Sequence, residues 1–209
     1  MVKSIVIVGG SSDIAKSTIS SISTENYKFH ALVRDDSHTD ELSDLGVNVI
    51  LGDATSEEDI KNFISGVKES GEIHAILHCV GSFAVRPPHA MNKEAFEAVI
   101  STNLTSAFLT LSIAGKAMLS QGHGRMVFMS SVAGSLGLVN HEAISAAKGG
   151  IESMVRSAAA TYANRGLRIN AQFHPSLLKK KMKRWILTWN GISLSEISWV
   201  VLLMGYFNC

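Results

Sequence analysis

The stretch from Ser4 to Ala15 constrains the fold more than any other part of this sequence. Its run of β-branched residues, Ile5–Val8, predicts a strand buried on both faces, because strands of parallel sheets carry continuous rather than alternating apolar runs. Gly9 and Gly10 end the strand, and Ser11–Asp13 all suit a helix N-cap. A strand, a tight turn and a helix N-terminus together predict an anion site, which in parallel α/β sheets usually takes a nucleotide phosphate.

The turn by itself leaves a second interpretation open. Dinucleotide-binding turns carry further glycines where this chain has Asp13 and Ala15. An ordinary strand-to-helix turn, with Asp13 capping the helix, would have the same local sequence. We expect Asp13 to cap the helix, because a carboxylate turned toward a pyrophosphate would repel it.

Composition narrows the class of protein. The chain has 209 residues, a net charge of +1 and 46% hydrophobic residues, which suits a single α/β domain with a sizeable core and gives no support to nucleic-acid binding. Cys79 and Cys209 are far apart and are expected to be reduced thiols, so we expect a cytoplasmic location. The longest apolar run, 197–207, is too short to span a bilayer, and the N-terminal run is interpreted as a strand rather than a signal peptide.

Strand and helix patterns alternate along the chain. This alternation predicts a doubly wound parallel sheet of about six strands, with helices on both faces and right-handed crossovers. Ligands of such sheets bind at the carboxyl ends of the strands. The predicted strands are 5–8, 28–33, 47–51, 74–80, 125–129 and 167–173, and the longest predicted helices are 92–119 and 142–164. The polar or glycine residues at the strand ends are Gly9–Asp13, Arg34, Asp53, Gly81 and Ser131.

Several short motifs follow one another in order and with consistent spacing. They are Gly9–Ala15, Gly52–Ala54, His78–Gly81, Asn103–Leu104, Met129–Gly134, Ala147–Gly149, and Arg168–Ala171 followed by Pro175. Together they resemble the motifs of the short-chain dehydrogenase/reductase family over about residues 2–175. The resemblance implies a Rossmann-like fold and an oxidoreductase that transfers a hydride between NAD(P)(H) and a small carbonyl or alcohol substrate.

The resemblance also implies roles for individual residues. Ser131 would polarise the substrate oxygen, Asn103 would hold a proton-relay water, and Lys148 would bind the nicotinamide ribose. No metal site is implied. The residues expected to bind the cofactor are Gly9, Ser11, Ser12, Asp13, Ile14, Arg34, Asp53, Ala54, Gly81, Lys148 and Pro175.

The general acid/base of the family, a Tyr four residues before the Lys, is absent. Ile144 occupies that position, and an aliphatic side chain cannot exchange a proton. A missing general acid/base typically lowers the rate by about 10²–10⁴-fold. His141 is the nearest titratable residue, and on a helix that began early enough it would share a stripe with Ile144 and Lys148. A solvated loop histidine remains the alternative interpretation of His141.

Arg34 at the end of the second predicted strand favours NADP(H) over NAD(H). NAD-type enzymes usually place an acid there, where this chain has Val33, whereas an Arg suits the 2′-phosphate of NADP. Asp35 and Asp36 follow at once and would either repel the phosphate or face water.

The chain after Pro175 departs from the family pattern. We therefore divide the sequence into a domain similar to the short-chain dehydrogenase/reductase (SDR) family, 1–178, and an atypical tail, 179–209. We expect the family's seventh strand to be missing. The tail would be a divergent substrate lid, an altered end that does not fold as in the family, or an element that packs on the sheet edge or on another subunit. We expect a homodimer or homotetramer that pairs through the two long helices, without nucleic-acid or membrane partners.

Three functions remain open at this point. The first is an NADP(H)-linked reductase or dehydrogenase. The second, favoured by Ile144 and the altered tail, is a weakly active or inactive dinucleotide-binding protein. The third is a truncated or damaged family member. The sequence does not identify a substrate.

Overall fold

Six parallel strands form the centre of the computed structural model, which describes residues 3–22 and 26–174. The strands are β1 (Lys3–Val8), β2 (Tyr27–Val33), β3 (Val47–Leu51), β4 (Ile73–His78), β5 (Gly124–Ser131) and β6 (Leu167–His174). The helices are α1 (Asp13–Ser21), α2 (Thr39–Asp44), α3 (Glu57–Glu69), α4 (Lys93–Ile100), α5 (Ser106–Gln121) and α6 (Glu142–Tyr162).

The strand order is β3-β2-β1-β4-β5-β6, and every neighbouring pair is parallel. The order reverses between β1 and β4, so the chain leaves the two strands toward opposite sides and opens a crevice above their carboxyl ends. The prediction of a doubly wound parallel sheet is confirmed. The predicted absence of a seventh strand falls on residues outside those that the structure describes, as do the tail and Pro175.

Alternate residues of the strands belong to two separate hydrophobic cores, one on each face of the sheet. Val6 and Val8 of β1 pack with α3, α5 and α6 on one face. Ile5 and Ile7 pack with α1 and α2 on the other. All four side chains are at most 2% exposed, which explains why the strand is a continuous apolar run rather than an alternating one.

The long predicted helix 92–119 consists of α4 and α5, joined by a five-residue π-helical turn, Ser101–Thr105. Asn92 caps its N-terminus by accepting a hydrogen bond from the Ala95 N–H at 3.0 Å. Lys93–Gln121 is long and apolar enough to cross a membrane. Its side chains at Ala107, Ala114 and Met118 are fully buried against the sheet, as in a core helix of a globular domain.

Two local predictions need correction. The N-cap of α1 is Ser12, whose hydroxyl accepts a hydrogen bond from the Ala15 N–H at 3.2 Å; Asp13 is the first residue of the helix and does not cap it. Two adjacent residues of cap type compete here, and the one that keeps extended backbone angles becomes the cap. Strand β4 ends at His78 rather than Val80.

Candidate functional site

The Gly9–Ser12 turn lies at the carboxyl end of β1, at the crevice where the strand order reverses. Gly9 has φ +87°, and a Cβ there would come within 2.9 Å of the Val80 backbone nitrogen. A Cβ on Gly10 would lie 2.6 Å from the Ala31 Cβ. Both positions therefore exclude larger residues, and the turn can only be this tight because it is glycine-rich.

The turn presents backbone donors to the crevice. The N–H groups of Asp13 and Ile14 have no backbone acceptor among the described residues, because they belong to the first turn of α1. The positive end of the α1 dipole also favours an anion at this place. Asp13 is exposed in that first turn. The described geometry therefore provides backbone donors at a helix N-terminus, which is the kind of site that binds anions.

The ends of β2 and β3 place a cation beside an acid. Arg34 is exposed just after β2, and its charge lies near Asp53. The Asp53 carboxylate accepts hydrogen bonds from the Thr55 N–H and hydroxyl, both at 2.8 Å, and these bonds together with Arg34 lower its pKa. Ala54, next to it, is buried in the core.

Asp35 is engaged by the residues that follow it in the chain. Its carboxylate caps a short 3₁₀ turn by accepting hydrogen bonds from the N–H and the hydroxyl of Ser37. These bonds, the hydroxyl first, hold the pKa of Asp35 below its usual value. Of the two acids that follow Arg34, this one already has local partners.

Lys148 and Asn103 converge on Gly81. A Cβ built on Gly81 would lie 3.2 Å from Asn103 Oδ1 and 3.5 Å from Lys148 Nζ. Lys148 is 7% exposed, and its ammonium donates to the Met129 carbonyl at 2.9 Å. Burial lowers the pKa of this amine to about 8, because desolvation disfavours the charged form.

Asn103 is held rigidly within the π-helical turn. Its amide nitrogen donates to the Ser82 hydroxyl at 2.9 Å and to the Val99 carbonyl at 3.0 Å, and its amide oxygen accepts from the Ser82 N–H at 3.3 Å. A π-turn leaves one helical carbonyl without its usual N–H partner, and here the side chain supplies the donor. The loop after β4 is thereby tied to the helix.

Ser131 ends β5 and begins the 3₁₀ turn Val132–Gly134. Its hydroxyl oxygen accepts a hydrogen bond from the Ala133 N–H at 3.2 Å. This contact uses a lone pair and leaves the hydroxyl proton available for donation to an oxygen in the crevice.

Ile144 is 3% exposed and belongs to a small apolar cluster with Val99, Ala133 and Ala143. Ala84, Met91 and Leu138 pack against the same cluster. The position at which the family carries its general acid/base, a Tyr, is therefore surrounded by apolar side chains. A hydroxyl placed there would have to project past this cluster to reach a substrate.

His141 precedes α6 as its N-terminal flanking residue. Its Nδ1 lies 2.7 Å from the Val139 carbonyl, which makes Nδ1 the protonated nitrogen. The Nε2 is buried without a hydrogen-bond partner among the described residues, and the ring meets Phe83 edge-on at 5.7 Å. His141 as a whole is half-buried, so the two interpretations of this residue, proton donor and solvated loop histidine, both stay open.

Two site features had no signal in the sequence. Ser82 orients Asn103 from a loop without a recognisable motif. Glu152 accepts hydrogen bonds from two serines that flank Ser131. Only the contacts between distant segments reveal either residue.

Fold and site together define a doubly wound α/β protein with a glycine turn and a helix N-terminus at its switch point, the usual place for a nucleotide. The sequence model described as short chain dehydrogenase matches residues 3–190. The chain belongs to this family.

Curated relatives and solved structures agree with this assignment. Levodione reductase from Leifsonia aquatica is 29% identical over 178 residues, covering 80% of this chain and 66% of the relative. A tropinone reductase homolog from Arabidopsis thaliana is 26% identical over 174 residues, covering 79% of this chain and 65% of the relative. The cis-4-hydroxycyclohexanecarboxylate dehydrogenase of Sinomonas cyclohexanicum is 33% identical over 121 residues, covering 57% of this chain and 49% of the relative. The chain thus spans about half to two thirds of the length of these relatives.

The crystal structure of levodione reductase superposes with a TM-score of 0.77 at 25% identity, over 81% of this chain and 69% of that one. The structure of ElxO with NADP bound gives a TM-score of 0.76 at 22% identity, over 82% of this chain and 72% of that one. The second likeness is evidence for the fold alone.

Proposed function

We propose that this protein binds NADP(H) and acts as an oxidoreductase on a small carbonyl or alcohol. The observation that carries the proposal is the convergence of Lys148 and Asn103 on Gly81, beside the glycine turn of the switch point. The excluded Cβ positions at Gly9 and Gly10 support a close approach of a pyrophosphate to the backbone. When bound, the nicotinamide supplies a hydride donor or acceptor.

The chain's own residues would divide the remaining work. The turn residues Gly9–Ile14 hold the diphosphate through backbone N–H groups. Asp53, Ala54 and Gly81 line the adenine and ribose side, and Pro175 is proposed for the nicotinamide side. Lys148 donates to ribose hydroxyls, and because its pKa is lowered to about 8, the amine titrates close to neutral pH. The free hydroxyl proton of Ser131 orients the substrate oxygen.

Preference for NADP(H) rests on Arg34 at the end of β2. The local capping role of Asp35 supports this preference, because that carboxylate is engaged with Ser37. Titration of the protein with NADPH and NADH, followed by nicotinamide fluorescence, tests it. Arg34→Ala should weaken NADPH binding by about 10- to 100-fold, the worth of a hydrogen bond to a charged group, and leave NADH binding unchanged. Equal losses for both dinucleotides would refute the role of Arg34.

A second candidate function is dinucleotide binding without efficient turnover, and the burial of Ile144 among apolar side chains favours it. Ile144→Tyr, compared with Ile144→Phe as a control of similar size without a hydroxyl, separates the two candidates. A reductase rate that rises by about 10²-fold or more in the Tyr variant alone would show that the rest of the site is competent. Equal rates in the two variants, with NADPH still bound, would favour the binding function.

His141 is proposed as a substitute proton donor. The hydrogen bond from Nδ1 to the Val139 carbonyl leaves Nε2 as the nitrogen that exchanges a proton. Phe83 connects its ring to the loop that holds Asn103. An unchanged turnover number in His141→Ala would exclude this role.

Association through the long helices is proposed as well. Phe96 and Phe108 are 40% and 55% exposed on α4 and α5, where an apolar surface would be covered by a second copy. Sedimentation of wild type and Phe108→Glu tests this: the variant should be smaller in mass, and an unchanged mass would exclude this surface.

A further inference from the structure

Glu152 follows Lys148 by one turn of α6, a spacing that normally brings a Lys and a Glu into an ion pair. The two side chains go elsewhere in this structure. Lys148 donates to the Met129 carbonyl at 2.9 Å. The Glu152 carboxylate accepts the hydroxyl of Ser130 at 2.7 Å on one oxygen and the hydroxyl of Ser135 at 2.8 Å on the other.

The two serines bracket Ser131 in the chain. Ser130 is 2% exposed at the end of β5, and Ser135 follows the 3₁₀ turn that Ser131 begins. One carboxylate thus joins both ends of the six-residue segment 130–135 to α6. The Ser130 hydroxyl also lies 3.3 Å from the Lys148 carbonyl, so the bracket meets the helix at the level of Lys148 itself.

Close packing of two glycines makes this arrangement possible. A Cβ on Gly134 would lie 2.5 Å from Glu152 Oε1 and 2.9 Å from the Gly149 nitrogen. The 3₁₀ turn therefore rests directly on the backbone of α6, and the carboxylate lies against it. A side chain at position 134 would push the turn away from the helix, whereas a Cβ on Gly149 would make a tight contact of 3.3 Å with the Gly134 carbonyl oxygen.

We propose that Glu152 is a positioning residue that fixes the Ser131 hydroxyl relative to Lys148. The Glu152 carboxylate accepts a hydrogen bond from each of the two serine hydroxyls, so both hydroxyls point toward it. The turn is held in the conformation in which the Ala133 N–H occupies a lone pair of Ser131 and leaves the Ser131 proton free. Glu152 itself touches neither substrate nor cofactor. The proposal rests on the proposed function only for its catalytic consequence.

Amide hydrogen exchange tests the positioning without cofactor or turnover. Glu152→Ala should accelerate exchange at Ala133, Ser135 and Leu136 by about 10-fold or more, because their N–H bonds depend on the turn. Exchange in β1 should not change. Glu152→Gln should retain most of the protection, because an amide can accept one hydroxyl and donate to the other. Glu97→Gln, on the exposed face of α4, is the matched control and should have no effect. Unchanged protection in Glu152→Ala would overturn the proposal.

Turnover then separates positioning from mere support of the fold. The assay uses the wild type, or Ile144→Tyr if the wild type is too slow. Glu152→Ala should lower kcat by about 10-fold or more while the NADPH dissociation constant stays within about twofold. The same change in a Ser131→Ala background should cost nothing further, because Glu152 acts through Ser131. An equal loss in both backgrounds would overturn the positioning role. Failure of the wild type to bind NADPH would instead refute the proposed function and leave the exchange result to decide on the bracket.

Discussion

Gly9→Ala tests how closely the glycine turn approaches Cys79 and Val80, the residues just after β4. Two costs add at this position. A non-glycine residue in the left-handed region costs about 1–2 kcal/mol, and φ is +87° here. The new Cβ would also lie 2.9 Å from the Val80 nitrogen and 3.0 Å from the Cys79 carbonyl carbon, backbone atoms that cannot turn aside, which costs about 1–3 kcal/mol. The free energy of unfolding should therefore fall by about 2–5 kcal/mol.

Two further glycines separate these contributions. Gly46 has φ +76° with nothing within 4 Å of its Cβ position, so Gly46→Ala should show the backbone cost alone, about 1–2 kcal/mol. Gly10 has no positive φ, but its Cβ would meet the Ala31 Cβ at 2.6 Å, so Gly10→Ala should show the packing cost alone, about 1–3 kcal/mol.

Urea unfolding followed by circular dichroism measures all three variants against wild type. In a thermal scan, a loss of about 3 kcal/mol would lower Tm by roughly 6–12 °C for a chain of this length. The reasoning is refuted if Gly9→Ala loses no more stability than Gly46→Ala, because the turn would then not approach Cys79 and Val80 as closely as described. NADPH binding to Gly10→Ala adds a functional reading, since a displaced turn should weaken it.

Three more predictions concern buried ionisable groups and a helix cap. Folding lowers the pKa of Lys148 from 10.5 to about 8, so the unfolded chain binds more protons than the folded chain between these pH values. The free energy of unfolding should therefore rise with pH in this range by up to about 1.4 kcal/mol per pH unit. Lys148→Met should lack this rise, and parallel pH curves for the wild type and the variant would contradict the prediction. The two proteins are compared over pH 8–9, because the pKa of Cys79 is raised from 9.0 to about 12 and its titration in the unfolded chain lowers stability above pH 9. Burial lowers the pKa of His78 from 6.5 to about 3, so the free energy of unfolding should fall as the pH is lowered between those values. In urea titrations at acid pH, His78→Asn should lose less stability than the wild type, and an equally steep loss would exclude His78 as the source. Ser56→Ala should cost about 1 kcal/mol in urea unfolding, because the hydroxyl accepts the Asp59 N–H at the start of α3; no measurable loss would mean that water replaces the cap.

The fold could be predicted from the sequence because its strands are buried on both faces and separated by helices. Strand β3 has the predicted bounds, and the others differ at their ends by one to a few residues. Helix α2 had no signal, because its six residues bury a single side chain, Leu42. Strand β4 was predicted to end two residues too late, because Cys79 and Val80 are as apolar as the strand that precedes them.

The candidate site could be predicted only as far as motifs reach. Ser131, Asn103 and Lys148 stand out because their neighbours form ordered motifs. Glu152 does not, because its spacing from Lys148 favours an ion pair, and its hydrogen bonds to Ser130 and Ser135 join segments that are distant in the sequence. The environment of Ile144 was equally hidden, since its partners come from four separate segments of the chain.

The π-helical turn Ser101–Thr105 has a consequence for how this helix tolerates change in length. A π-turn accommodates one extra residue while the helix on either side keeps its phase. Removal of one residue from this turn would therefore leave α4 and α5 facing the same neighbours, and the helix would become regular. What would be lost is the position in the π-helical turn from which Asn103 reaches Ser82 and the Val99 carbonyl. Among the described helices, this is the place where a deletion would be gentle to the fold and severe to the site.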